Sequence, residues 1–115
     1  MTYQQVTLVV PLGPNVGGGD TDYTIRAARY SHRMKLAELE NALCAQFGGW
    51  TATDGQGAWN EGSVVLREDV RVYTLAASIG LTSDDLAQLR HRVKVLLDQR
   101  AVYLAAYDLA EKPVQ

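Results

Sequence analysis

Cysteine is nearly absent from this sequence: Cys44 is the single one among 115 residues. One thiol cannot form an internal disulfide, and zinc sites built on thiolates need several ligands at short spacing, so disulfide-stapled and zinc-ribbon folds are excluded. Cys44 lies beside an apolar helical stripe and has no sequence-adjacent base, which predicts a small core residue rather than a nucleophile. We expect a protein of a reducing, cytoplasmic compartment.

Histidine is also scarce, with His32 and His91 as the two examples. No His-x-x-x-His or Asp-x-Asp pairing occurs, and the adjacent residues Asp84 and Asp85 are explained by a helix start, where negative charge is favourable. The sequence therefore predicts neither a metal site nor a bound cofactor.

Long apolar runs are missing as well. The stretch at 6–10 is too short for a signal peptide or a membrane span, and no basic segment precedes it. The chain has 11 basic and 13 acidic residues and a net charge of −2. Proteins that bind polynucleotides normally carry an excess of Lys and Arg, so we expect neither polynucleotide nor membrane binding, although local basic clusters leave small anions possible.

The composition present is that of one globular domain. Hydrophobic residues make up 47% of the chain and charged residues 21%, which is too apolar for a disordered segment and suits a single domain over 1–115. Six elements are predicted within it. A β-branched stretch at 6–12 predicts a first strand, and the Gly- and Pro-rich segment at 13–22 predicts a mobile loop.

A first helix is predicted by apolar residues at steps of three and four, and it ends at the glycine pair 48–49. Its start stays open: Ser31 is a plausible cap, whereas residues 24–30 are either an additional turn or a separate short helix. The apolar residues are Leu36, Leu39, Leu43 and Phe47.

Two strands follow, at 50–59 and 64–77, with a bulge or bend predicted at 54–57 because two glycines interrupt the first of them. A second helix is predicted over 83–99, since Thr82 and Asp85 form a capping-box pattern. A last strand at 101–107 and a loose tail at 109–115 complete the chain.

The order strand, helix, strand, strand, helix, strand predicts an α+β, ferredoxin-like fold with both helices on one face of a four-stranded antiparallel sheet. The other sheet face is also predicted to be apolar, because either Tyr73 and Leu75 or Val70 and Val72 must point away from the helices. An exposed apolar face indicates a partner surface, so we predict a homodimer or a tight complex with a partner through the sheet. The alternative is that the loop or the tail folds over this face.

The segment at 47–59, Phe-Gly-Gly-Trp-Thr-Ala-Thr-Asp-Gly-Gln-Gly-Ala-Trp, resembles small phage and plasmid open reading frames of unknown function. The acidic strand opening at 68–73 and the Gln-x-x-Val element at 99–102 extend this resemblance to roughly the last 80 residues. The resemblance implies a fold and an accessory role, and it supplies no catalytic residues.

A candidate site for a phosphate lies in the loop after the first strand, where backbone amides can cradle an anion and guanidinium groups follow. No Gly-Lys-Ser or Gly-x-Gly-x-x-Gly motif is present, so the alternative is a flexible connector beside a solvated helix face. The residues are Gly17, Gly18, Gly19, Arg26, Arg29 and Arg33.

Two tryptophans flank the predicted bend, and an exposed indole can stack on a planar ligand such as a base. Trp50 is expected under the first helix, and Trp59 is the better candidate for exposure and ligand binding.

These observations predict a non-enzymatic accessory protein, encoded by a phage or another mobile element, that binds a small phosphorylated ligand, a nucleotide or a host protein and can antagonise host defence. One alternative is an assembly protein that acts through sheet-face dimerisation. A second is a small enzyme in whose pocket Tyr73, Tyr103, His32 and Asp54 converge.

Overall fold

Residues 3–14, 21–77, 80–99 and 101–109 are described by a computed structural model of the protein. They form six elements in the order β1 (Tyr3–Pro11), α1 (Asp22–Phe47), β2 (Thr51–Glu61), β3 (Val64–Ala77), α2 (Ser83–Leu97) and β4 (Tyr103–Leu109). The strands make one antiparallel sheet in the order β2-β3-β1-β4. This arrangement confirms the predicted α+β, ferredoxin-like fold.

The core lies between the helices and one face of the sheet. On β1, Val6, Leu8 and Val10 are fully buried, because the two-residue repeat of a strand places them on the same face. Leu8 is paired with Tyr73 on β3 and with Leu104 on β4, and both partners are buried with it. The helices complete this core with Leu36, Leu39, Leu43, Leu89, Val93 and Leu97.

Helix α1 is one continuous helix of 26 residues that begins at Asp22. Its N-cap is Thr21, whose side chain accepts a hydrogen bond from the Thr24 backbone N–H. Ser31 lies in the helix interior, so its predicted role as a cap is wrong, and the predicted loop at 13–22 ends before Asp22. Residues 15–20 of that loop are outside the described residues.

The other end of α1 was predicted correctly, because Gly48 closes the helix with a φ of 84°. A positive φ of this size costs glycine little, since glycine has no Cβ. Cys44, on the last turn, is exposed, which corrects the prediction of a core position.

Strand β2 runs without interruption from Thr51 to Glu61, so the predicted bulge is wrong. Gly55 and Gly57 pair in regular register with Val70 and Glu68. The chain reverses after Glu61 through a two-residue turn whose first residue, Gly62, has a φ of 68°.

Helix α2 confirms the predicted capping box: Thr82 accepts from the Asp85 N–H, and the Asp85 carboxylate accepts from the Thr82 N–H. The helix ends at Leu97, two residues before the predicted end, because Asp98 adopts the left-handed conformation with a φ of 53°. Strand β4 then begins at Tyr103 and continues to Leu109, where a loose tail was predicted. Residues 110–115 of that tail are outside the described residues.

The β2-β3 hairpin extends beyond the helices. Its distal residues, 58–67, which we call the hairpin arm, are all exposed. The radius of gyration is 15.7 Å, compared with about 13 Å for a compact domain of similar length. The arm therefore presents apolar side chains to solvent, among them Val64, Val65 and Leu66.

The start of α1 can be tested with two substitutions. Thr21→Ala removes the cap and is expected to lower the free energy of unfolding by about 1 kcal/mol. Ser31→Ala is expected to leave it unchanged or slightly higher, because alanine has the higher helix propensity in a helix interior. Urea denaturation followed by circular dichroism measures both, and a larger loss for Ser31→Ala would contradict the helix boundary.

Candidate functional site

Three of the predicted ligand-binding residues come together on α1. Arg26, Arg29 and Arg33 follow one another at steps of three and four, which places them on one helix face. They line an open cleft of about 620 Å³, which we call the arginine cleft, at the start of the segment that follows β1. Its other lining residues are Leu12, Gly13, Pro14, Glu68 and Asp69. The predicted glycines Gly17, Gly18 and Gly19 lie outside the described residues.

Two hydrogen bonds fix the walls of the arginine cleft. The ring of His32 is buried, and its Nε2 lies 2.8 Å from the backbone oxygen of Pro11. The Leu12 N–H donates to the backbone oxygen of Asp69 over 2.9 Å. The first bond fastens α1 to the end of β1, and the second fastens β3 to the same end, so the cleft is preformed.

A second cleft, of about 920 Å³, lies between the hairpin arm and the ends of β1 and β4. We call it the aromatic cleft because Trp59 and Tyr103 line it. Trp59 is 45% exposed, which confirms the prediction that it is the accessible tryptophan. The other lining residues include Pro11, Glu61, Leu66, Glu68, Val70 and Gln99.

Gly57 sets the position of the Trp59 indole. A Cβ at Gly57 would lie 3.1 Å from Cη2 and Cζ2 of that ring and 3.4 Å from Cγ1 of Val70. The ring therefore packs over the bare backbone of the strand, close to Val70. By contrast, nothing lies within 4 Å of the equivalent position at Gly55. The spacing Gly-x-Trp thus makes room for the ring and does not produce the predicted bend.

Among the described residues, Glu68 is the one that lines both clefts. It is half-buried, whereas Asp69 beside it is exposed. Sequence reasoning assigned Glu68 no role beyond an acidic strand opening, because the meeting of the two clefts depends on how α1 and the hairpin arm are placed in three dimensions. Strand alternation places the Glu68 side chain on the outer face with Val70 and Val72, so its negative charge belongs to the side of the aromatic cleft.

Sequence reasoning also missed a polar network under α1. The guanidinium of Arg71 donates two hydrogen bonds to Asp54, at 2.7 and 3.2 Å, and one to Glu40 at 3.4 Å. The Tyr73 hydroxyl donates to the same Glu40 oxygen over 2.9 Å. The Trp50 indole donates to the Glu40 backbone oxygen and meets the Tyr73 ring edge to face at 5.5 Å. This network connects α1 to β2 and β3.

The network holds its members in fixed charge states. Burial, followed by the hydrogen bond to Glu40, raises the pKa of Tyr73, so the phenol stays protonated. The hydrogen bond from Arg71 lowers the pKa of Asp54, and the same hydrogen bond raises the pKa of Arg71. None of these shifts brings a group toward neutral pH, which indicates a structural role rather than acid-base chemistry.

The four residues of the predicted enzyme pocket do not converge. Tyr73 and Asp54 belong to the polar network on the helix side of the sheet, and His32 is committed to Pro11. Tyr103 lies on the opposite sheet face, where a hydrogen bond with Tyr107 raises its pKa. Since Tyr73 and Leu75 face the helices, the residues of β3 on the outer face are Val70 and Val72.

Neither a metal-binding cluster nor a membrane-spanning helix is found among the described residues. In the described ranges, no three His, Cys, Asp or Glu side chains are grouped so as to hold a metal ion. Within the same part of the chain, no helix is both long and apolar enough to cross a membrane.

No protein-family model and no curated protein matches the sequence. Solved structures do match. The divalent cation tolerance protein Cut A1 from Thermus thermophilus has a TM-score of 0.61 at 13% identity, over 96% of this chain and 87% of that chain. CutA1 from Ehrlichia chaffeensis has a TM-score of 0.58 at 7% identity, over 96% and 84%. A phage SAM lyase in complex with S-methyl-5′-thioadenosine has a TM-score of 0.55 at 14% identity, over 98% and 93%.

At these identities the likeness extends to the fold alone. It covers nearly the whole of this chain and most of each of the three neighbours.

The Asp54 carboxylate gives a pH dependence of stability. Its pKa is lower in the folded protein than the ordinary 3.8, so its pairing with Arg71 stabilises the fold above that value and is lost as the pH falls through the folded pKa. Wild type is therefore expected to be more stable than Asp54→Asn at neutral pH, with a difference that shrinks in acid.

Urea denaturation over a series of pH values measures this difference. Glu38→Gln, which removes an exposed carboxylate of α1, serves as the control and is expected to show little pH-dependent change. A difference for Asp54→Asn that persists unchanged in acid would contradict the assignment.

Proposed function

We propose that the protein binds a small adenosine-containing ligand in the aromatic cleft. The observation that carries the proposal is the exposed Trp59 indole, held over Gly57 in a cleft that also contains the Glu68 carboxylate. Stacking on an aromatic ring recognises the flat face of a base. A neighbouring carboxylate suits ribose hydroxyl groups, which are hydrogen-bond donors.

The same groups also suit a positively charged sulfur. Aromatic faces attract cations, and Trp59 and Tyr103 lie in one cleft with Glu61 and Glu68. An adenosine that carries a sulfonium group therefore suits the cleft through its base and its charge, and one that carries a thioether suits it through its base. The phage neighbour, whose structure contains S-methyl-5′-thioadenosine, supports this choice of ligand class.

The biological setting that we propose is a phage or a related mobile element. The resemblance of residues 47–59 to phage and plasmid open reading frames supports it, together with the phage origin of one structural neighbour. A protein of this kind can act against host defence by sequestering a nucleotide-derived molecule of the host.

Turnover of the ligand is a second candidate function, favoured by the half-buried Glu68. S-adenosylmethionine carries its own carboxylate, and attack of that carboxylate on the side-chain carbon bonded to sulfur forms a carbon–oxygen bond as the carbon–sulfur bond breaks. Sulfur keeps the electron pair, so the products are a lactone and the neutral thioether S-methyl-5′-thioadenosine. A protein carboxylate beside the sulfur can position the substrate for this step, which requires no metal and no oxidant.

The ligand proposal predicts a specific effect of Trp59→Ala. Loss of one stacking ring is expected to raise the Kd for S-methyl-5′-thioadenosine by about tenfold or more. Isothermal titration calorimetry measures this, with Tyr30→Ala as the matched control because Tyr30 is an exposed aromatic residue on α1 outside both clefts. Equal affinities of wild type and Trp59→Ala, or no binding to wild type, would contradict the proposal.

Turnover is tested separately, by chromatography of S-adenosylmethionine incubated with the protein. Release of S-methyl-5′-thioadenosine by wild type, and a fall in kcat for Glu68→Gln measured at saturating S-adenosylmethionine, would establish catalysis. Binding without release would leave the protein as a sequestering agent.

We also propose that the protein self-associates, with the hairpin arm and the outer sheet face in the contact. The arm is exposed on both sides, and Tyr103 and Tyr107 are each 53% exposed on the outer face. Because the aromatic cleft lies beside this arm, a second copy of the chain would cover apolar surface and close the cleft at the same time.

Self-association predicts that a charge on the hairpin arm weakens the oligomer. Val65→Glu is expected to shift wild-type oligomer toward monomer, whereas Val95→Glu, an equally drastic change at an exposed valine of α2, is not. Sedimentation velocity over a range of concentrations measures both, and a wild type that is monomeric throughout would refute the proposal.

A further inference from the structure

The three arginines on one face of α1, which we call the arginine stripe, are without ion-pair partners among the described residues. Arg26, Arg29 and Arg33 are all exposed. Two carboxylates, those of Glu68 and Asp69, line the same cleft. The three positive charges of the cleft therefore exceed its two negative charges.

The charge pattern of the stripe is unfavourable for the helix. Like charges three and four residues apart on a helix repel each other. The stripe begins one turn after the start of α1 at Asp22. A role in binding explains why three arginines are placed there.

The stripe is also held rigidly. His32, between Arg29 and Arg33 in sequence, is 2% exposed and hydrogen-bonded to the Pro11 backbone oxygen. The helix therefore cannot shift away from the end of β1 without leaving a buried imidazole unpaired. Guanidinium groups on a fixed helix face are preorganised for a carboxylate or a phosphate, both of which they bind through paired hydrogen bonds.

We propose that the arginine cleft is the anion subsite of the ligand site, and that it binds a carboxylate or phosphate carried by the nucleoside in the aromatic cleft. This inference rests on the proposed function, because it takes one ligand to occupy both clefts. Glu68 lines both clefts, so the two clefts adjoin at this residue. Its side chain lies on the outer face with Val70, so its charge repels an anion from the aromatic side and thereby orients the ligand, with its negative group toward Arg29 and Arg33.

The subsite is tested first without any nucleoside. Inorganic tripolyphosphate is expected to raise the Tm of wild type and of the control Arg67→Gln, in which an exposed arginine that lines neither cleft is replaced. Arg29→Gln and Arg33→Gln should lose most of that increase while being as stable as wild type without the anion. No increase in wild type, or the same increase in all four proteins, overturns the subsite.

The link to the nucleoside is tested with two pairs of ligands that differ in an anionic group: adenosine monophosphate against adenosine, and S-adenosylmethionine against its decarboxylated form. Arg29→Gln should raise the Kd of the member that carries the anionic group in one pair by roughly tenfold and leave the Kd of the other member unchanged. A loss confined to the monophosphate identifies a phosphate subsite, and a loss confined to S-adenosylmethionine identifies a carboxylate subsite.

The two proposals fail in different ways. Equal weakening of the members with and without the anionic group overturns the subsite, because it indicates general damage to the site. Tripolyphosphate binding that depends on Arg29, without binding of any nucleoside to wild type, overturns the proposed ligand class and the link between the clefts and leaves an independent anion site.

Discussion

The placement of β1 in the middle of the sheet is the constraint on which the rest of the structure depends. Its three inward residues, Val6, Leu8 and Val10, are completely buried, and β3 and β4 align their own apolar residues on that pattern. A shift of register by one residue would turn all three toward the outer face, so the pairing is strongly specified. The end of this same strand holds α1 through His32 and borders the aromatic cleft, and the arginine cleft begins at the next residue, Leu12.

The order of the elements and most of their limits could be predicted from the sequence, because local signals specify them. The capping box at Thr82 and the helix end at Gly48 depend on residues that are close in sequence, and both were predicted correctly. The predictions for Ser31 and for the glycines of β2 were wrong, because tertiary contacts continue α1 past the serine and β2 past the glycines despite the local preference of these residues. The limits of α1 and β2 therefore depend on packing over the whole helix and the whole sheet.

Parts of the candidate site could likewise be predicted from the sequence, and other parts could not. The arginine stripe and the exposed Trp59 could be predicted, since helical spacing and local composition indicate them. The position of Glu68 beside both clefts could not be predicted, because it follows from how α1, β1 and the hairpin arm are placed together. Nor could the network around Glu40 and Arg71, whose members are 31 residues apart in sequence. Both are long-range products of the fold, as binding surfaces at the edges of elements commonly are.

The last residue of β1 determines where the sheet opens. Pro11 still pairs with Val70 on β3, but the pairing of β1 with β4 stops at Val9 and Tyr103. Proline has no N–H to donate, and beyond Val9 the two chain segments separate to form walls of the aromatic cleft. The entrance is thus made by the backbone, so side chains around it can change the choice of ligand through evolution while the location of the opening remains the same.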